Sequence, residues 1–131
     1  MFIDASALCA IFLEEDDAEE ILARMKSADR LIVSPTALWE AVVSCCRRMN
    51  WQIEAGKAAI FDYLADMQIE IVAIPPEAAV LAVDAYARYG KGRHPASLNF
   101  GDCLAYACAR HLDVPLLYKG DDFALTDISA A

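Results

Sequence analysis

Two kinds of apolar segment alternate along this chain. Phe2-Ile3, residues 31–33 (LIV), residues 69–74 (IEIVAI) and residues 114–118 (VPLLY) are short and rich in isoleucine, valine and leucine. Near-continuous apolar runs of this length mark strands buried on both faces. Between them lie longer stretches with apolar residues at helical spacing. Residues 7–13 (ALCAIFL) form a first helix, and residues 15–28 place Ala18, Ile21, Leu22 and Met25 on one face with acids in the first turn. Ser34 and Pro35 supply an N-cap and a proline at the first helical position for residues 36–49. Further helices are predicted over 54–68, over Glu77 to about Tyr89 and over 98–109 (LNFGDCLAYACA), with the loop GKGRHP before the last. Strands separated by helices require right-handed crossovers and a parallel sheet covered on both sides. The pattern predicts an α/β fold, and with no linker, repeat or low-complexity tract the expectation is a single domain over 1–131.

In such sheets the active crevice lies beyond the carboxyl ends of the strands, where the strand order reverses. Asp4 ends the first strand and Asp121-Asp122 follow the fourth; Glu40 and Asp102 fall early in helices that start from the same edge. Each acid also has a purely structural explanation. Asp4 suits an N-cap with Ser6 as a local hydrogen-bonding helper. Asp102 suits the third position of a helix capped by Asn99. Asp121-Asp122 after Gly120 suit a surface turn. Glu40 fits least well as an ordinary surface residue, because its helical neighbours are Thr36, Ala37, Val43 and Ser44. The helix of Asp102 is apolar almost all round, which predicts a buried helix. A buried carboxylate is costly unless it is paired or bound to metal.

Charge and cysteine content narrow the class. The formal net charge is −9, which argues against non-specific attraction to nucleic acid and suits a basic partner or bound cations. Five cysteines form no CxxC pair and no zinc-finger spacing, so reduced core thiols in a cytoplasm are expected rather than disulfides or zinc. Asp4 interrupts the first apolar run before it could act as a signal-peptide core, and no stretch approaches a membrane span. Clustered carboxylates raise one another's pKa unless something positive sits among them. No lysine or arginine lies beside Asp4, Glu40 or Asp102 in sequence to serve. The simplest counter-charge is a divalent metal, and all-oxygen ligation selects Mg²⁺ or Mn²⁺, one or two ions, over zinc. That combination implies phosphoryl chemistry, of the nuclease or phosphatase kind.

The stretches "MFIDASAL", "SPTALWEA", "LNFGDCLAYACA" and "LLYKGDDFALTDI", in this order across the whole chain, resemble the PIN-domain ribonuclease toxins of bacterial toxin–antitoxin pairs, the VapC family. The resemblance implies a PIN-like three-layer α/β/α fold with a short parallel sheet of about four to five strands. It implies that Asp4, Glu40 and Asp102 hold Mg²⁺ or Mn²⁺, that Asp121 or Asp122 supplies a fourth acid, that Ser6 stands beside the metal or its water, and that Asn99 supports Asp102. It further implies cleavage of RNA, in tRNA or rRNA, to stop translation. The implied partners are a second copy of the chain and a VapB-like antitoxin whose basic tail crosses the acidic crevice, giving a toxin–antitoxin hetero-oligomer in the cytoplasm. Arg47, Arg93 and Lys119, with Arg48, Lys91 and His94, are the candidates for a basic RNA-binding rim, although each also reads as a scattered solubilising charge. Two other readings stand beside this one. A haloacid-dehalogenase-like phosphatase would need a second acid where Ser6 stands, and a PIN-like module without catalysis would only bind its partner.

Overall fold

The structure is a computed structural model that describes residues 1–131. In chain order it contains β1 (Phe2–Ile3), α1 (Ala5–Phe12), α2 (Ala18–Lys26), β2 (Ile32–Val33), α3 (Pro35–Met49), α4 (Ile53–Asp66), β3 (Glu70–Ile71), α5 (Ala78–Tyr89), α6 (Phe100–His111) and β4 (Leu116–Leu117), followed by a 3₁₀ turn at Phe123–Leu125. The four strands form one parallel sheet in the order β3-β2-β1-β4. The C-terminal segment adds a further parallel bridge, Leu116 to Ala130, on the outer side of β4.

Alternation along each strand divides the interior into two cores. Phe2, Ile32 and Leu116 face one side and pack with Ala78, Ala85 and the buried stripe of α6. Ile3, Val33 and Leu117 face the other side and pack with residues of α1, α2, α3 and α4. With successive side chains pointing to opposite faces, even two-residue strands suffice to serve both layers. The result is the three-layer α/β/α arrangement expected from the pattern.

Several local expectations are corrected. The third strand pairs over Glu70 and Ile71 alone, and both are exposed, because β3 is an edge strand and Pro75-Pro76 ends the run soon after. The first helix begins at Ala5, two residues before the predicted start, because Asp4 caps it. The second helix is trimmed to Ala18–Lys26. Helix α6 is not buried all round: Cys103 and Ala105–Ala109 are buried, yet Phe100 is 76% exposed and Leu104 is half-buried. No helix is long and apolar enough to cross a membrane.

The order β3-β2-β1-β4 locates the crevice. From β1 the chain steps outward to β2 and β3, then returns to place β4 on the opposite side of β1. The reversal therefore falls between β1 and β4, and the ligand-binding crevice of such a sheet lies beyond the carboxyl ends of those two strands.

Candidate active site

Asp4 stands at the end of β1. Its N–H donates to the Leu117 carbonyl at 2.9 Å, so the residue remains tied to β4 while its side chain caps α1. The carboxylate Oδ2 accepts from the Ser6 N–H at 2.9 Å and from the Ser6 hydroxyl at 2.5 Å. The same hydroxyl oxygen accepts from the Lys119 backbone N–H at 3.0 Å. Ser6 thus stitches the end of β1 to the end of β4, and Asp4, 4% exposed, is held at the switch point. Capping and site placement are the same arrangement rather than competing explanations.

Glu40 lies in the second turn of α3 and is half-buried. Its carboxylate reaches the first turn of α6: a Cβ built on Gly101 would stand 2.3 Å from Glu40 Oε2 and 3.3 Å from Asn99 Oδ1. Gly101 is the notch that admits this carboxylate. Asp102 is the third residue of α6 and completes a capping box with Asn99: the Asp102 N–H donates to Asn99 Oδ1 at 3.1 Å, and the Asn99 N–H donates to Asp102 Oδ2 at 2.7 Å. Asn99 therefore fixes the rotamer of Asp102 through Oδ2 and leaves Oδ1 for another partner.

The electrostatics of these three acids are alike. None forms a salt bridge with lysine or arginine. Burial pushes the Asp4 carboxyl above its usual range despite the opposing hydrogen bonds from Ser6. Glu40 is raised by burial and then by the charge of Asp4. Asp102 is pushed up to about 6, by burial first and then by the charges of Asp4, Glu40 and Asp122, against the lowering hydrogen bond from Asn99. The structure brings Asp4, Glu40 and Asp102 into mutual electrostatic reach from β1, α3 and α6.

Asp121 and Asp122 are both exposed, beyond the turn made by Gly120 at φ +92°. The charge of Asp122, at the head of the 3₁₀ turn, is among those acting on Asp102. The rim candidates are placed differently from one another. The Lys119 ammonium is engaged by Glu15 and by Asp17 at 3.2 Å, and Glu15 also binds Arg48 at 2.7 Å. The Arg93 guanidinium stands 5.5 Å from the centre of the Tyr86 ring. Arg47 is exposed in the last turn of α3.

No group of three Asp, Glu, His or Cys side chains is already closed up around a metal-sized point. The donor chemistry nevertheless fits a hard cation: three uncompensated carboxylates, all oxygen, one of them almost fully buried.

The chain matches the family model of the PIN domain over residues 1–128. A VapC ribonuclease of Rhizobium meliloti is 39% identical to it, covering 97% of this chain and 98% of the relative. This chain is a PIN-domain protein of the VapC family. A VapC ribonuclease of Mycolicibacterium smegmatis is 38% identical, covering 99% of this chain and 98% of its own length. Among solved structures, the PIN fold here is similar to that of VapC20 of Mycobacterium tuberculosis, described as a sarcin–ricin loop cleaving toxin, with a TM-score of 0.76, 16% identity and coverage of 99% and 97%. A toxin–antitoxin complex from Klebsiella pneumoniae gives a TM-score of 0.73 at 17% identity, covering 99% of this chain and 95% of that one. Membership in the PIN family displaces the haloacid-dehalogenase alternative.

Two features of this PIN site escaped the sequence reading. Gly101 is not singled out by the sequence, because a glycine in a helix's first turn shows no spatial demand until the Glu40 carboxylate is seen against it. The Glu15 clamp on Lys119 and Arg48 joins residues too far apart in sequence to be foreseen.

Proposed function

We propose that this chain is a Mg²⁺- or Mn²⁺-dependent endoribonuclease toxin, with Asp4, Glu40 and Asp102 as the metal ligands and Asp122, ahead of Asp121, as the fourth acid. The observation that carries the reading is the convergence of three raised-pKa carboxylates with no protein cation among them, at the switch point of the sheet. Asp4, Glu40 and Asp102 would hold one or two such ions, which when bound would supply water activation and charge neutralisation for phosphodiester hydrolysis. The chain's own part is positional. Ser6 directs the Asp4 carboxylate and locks β1 to β4, Asn99 orients Asp102, and Gly101 makes room for Glu40.

Arg47, Arg93 and Lys119 are the proposed contacts to RNA phosphates. Of these, Lys119 must exchange Glu15 and Asp17 for the substrate, whereas Arg47 needs no such exchange. Base specificity has no evident source on this rim, so tRNA or rRNA is a proposal resting on the family. The proposed regulator is a VapB-like antitoxin with a basic segment, which a chain of net charge −9 attracts and steers. A second copy of the chain is the partner proposed for the apolar strip of Val80, Val83, Tyr86 and Phe100, which are 67%, 69%, 44% and 76% exposed. The proposed compartment is the cytoplasm.

Purified chain freed of any antitoxin is expected to cleave RNA in Mg²⁺ or Mn²⁺ and to stop in EDTA. Cleavage unaffected by Asp102→Asn would overturn the site, and equal cleavage in EDTA would overturn the metal dependence. Mapping RNA 5′ ends after brief expression identifies the substrate. A PIN-like module without catalysis would yield no new ends.

A further inference from the structure

Two thiols lie close behind the carboxylates and take no part in the chemistry proposed above. Cys9 is on α1, five residues after Asp4, and is half-buried; Cys45 is on α3, five residues after Glu40, and is fully buried. Their sulfurs are 3.8 Å apart. The Cys9 thiol also faces the Ala41 carbonyl at 3.9 Å. The other cysteines are engaged elsewhere: Cys46 is directed at the Gln52 carbonyl, while Cys103 and Cys108 are buried in the core on the opposite face of the sheet.

The two sulfurs are unequal. The hydrogen bond between them, followed by the positive charge of Arg48 one turn along α3, draws the Cys45 thiol down. The same hydrogen bond, burial and then the charges of Cys45, Asp4 and Glu40 push the Cys9 thiol up. Cys9 is the less buried of the two, so it is the sulfur that an oxidant from solution reaches first. A disulfide needs its sulfurs about 2.05 Å apart, so closing this pair from 3.8 Å requires an approach of about 1.8 Å.

We propose that Cys9 and Cys45 are a modification site at which hydrogen peroxide forms a reversible disulfide, tying α1 to α3 behind the acidic crevice. One thiolate attacks a peroxide oxygen; the O–O bond breaks and hydroxide leaves, taking up a proton to become water. The resulting sulfenic acid is attacked by the second sulfur, the S–O bond breaks and a second water departs. Two thiols are oxidised to one disulfide, and one peroxide is reduced to two waters.

The test treats the folded chain with a small excess of hydrogen peroxide, quenches with catalase, blocks free thiols and measures mass. The expected result is loss of two hydrogens, a peptide pair joined through Cys9 and Cys45, and full reversal by dithiothreitol. Cys9→Ser loses this product and Cys103→Ser keeps it. Oxygen adducts without a linkage, a linkage between other cysteines, or an unreacted wild type would overturn the proposal. None of these outcomes depends on RNA cleavage or on bound metal, so the nuclease reading stands or falls separately.

Discussion

Two groups of acids flank the end of β4 and behave in opposite ways. Asp4, Glu40 and Asp102 are raised above their ordinary range and have no cation, whereas Glu15 is lowered, first by its hydrogen bond to Lys119 and also by Arg48. Asp127, bound by the Tyr106 hydroxyl at 2.5 Å and by Arg88 at 3.0 Å, follows Glu15. Where the fold needs a carboxylate for structure, it supplies a partner of its own. Where it leaves carboxylates uncompensated at the switch point, the counter-charge has to come from outside, and the fold carries the repulsion until it does.

This contrast is most severely tested by removing a site acid. Asp102→Asn should reduce metal-dependent RNA cleavage about a hundredfold or more, while thermal unfolding of the metal-free protein at pH 7 moves upward, because a repelled charge is gone and the amide oxygen can still accept from the Asn99 N–H. A lower melting temperature for metal-free Asp102→Asn would show that the site is not frustrated.

Gly101→Ala comes next, with an expected loss of about ten- to a hundredfold in cleavage and weakened Mn²⁺ binding by calorimetry. The added Cβ meets the far end of the flexible Glu40 side chain, so that carboxylate is displaced and the fold remains. Unaltered Mn²⁺ affinity would remove Gly101 from the site. Ser6→Ala should fall in the same range, since it unties Asp4 from the end of β4.

The pH dependence follows from sign. Asp102 in the folded chain titrates near 6 against an ordinary value of 3.8. Its contribution to metal-free stability is therefore fully present below about 3.8 and is lost as pH rises through about 6. Metal requires the ionised form, so Mn²⁺ affinity should strengthen as pH rises through the same interval. Calorimetric titrations at pH 5 and pH 7 check this, and a flat profile would contradict it.

The smallest effect belongs to the compensated group. Glu15→Gln should cost about 0.5–1 kcal/mol, since Arg48 is exposed and the Lys119 side chain still reaches solvent. With Lys119 then held by Asp17 alone, RNA binding at low salt should tighten or remain level in a filter-binding assay. Weaker RNA binding would mean that Glu15 holds Lys119 in its working position.

Much of the placement of the candidate site residues is legible in the sequence alone. Asp4 could be placed because a short apolar strand ends on it, and Asp102 because Asn99 and the helical pattern fix its turn. Glu40 stood out because its helical neighbours are not a solvated face. Asp121 and Asp122 are not separable in the sequence, since adjacent residues after a glycine point wherever the turn sends them; in the folded chain the charge of Asp122 acts on Asp102. Lys119 looked like a free cation because its partners Glu15 and Asp17 are a hundred or so residues away. Helix α6 looked buried on every side because its composition does not reveal that Phe100 emerges beyond the edge of the core.

What the sequence determined by itself is the alternation of strands and helices, the parallel sheet that follows from it, and the delivery of acids to the carboxyl edge. These depend on local periodicity and capping, which act over a few residues. What the tertiary structure decided is the strand order that puts the reversal between β1 and β4, the notch at Gly101 and the division of acids into compensated and uncompensated groups. Those depend on which distant side chains share a space, and for charges that neighbourhood, rather than residue type, sets the energy.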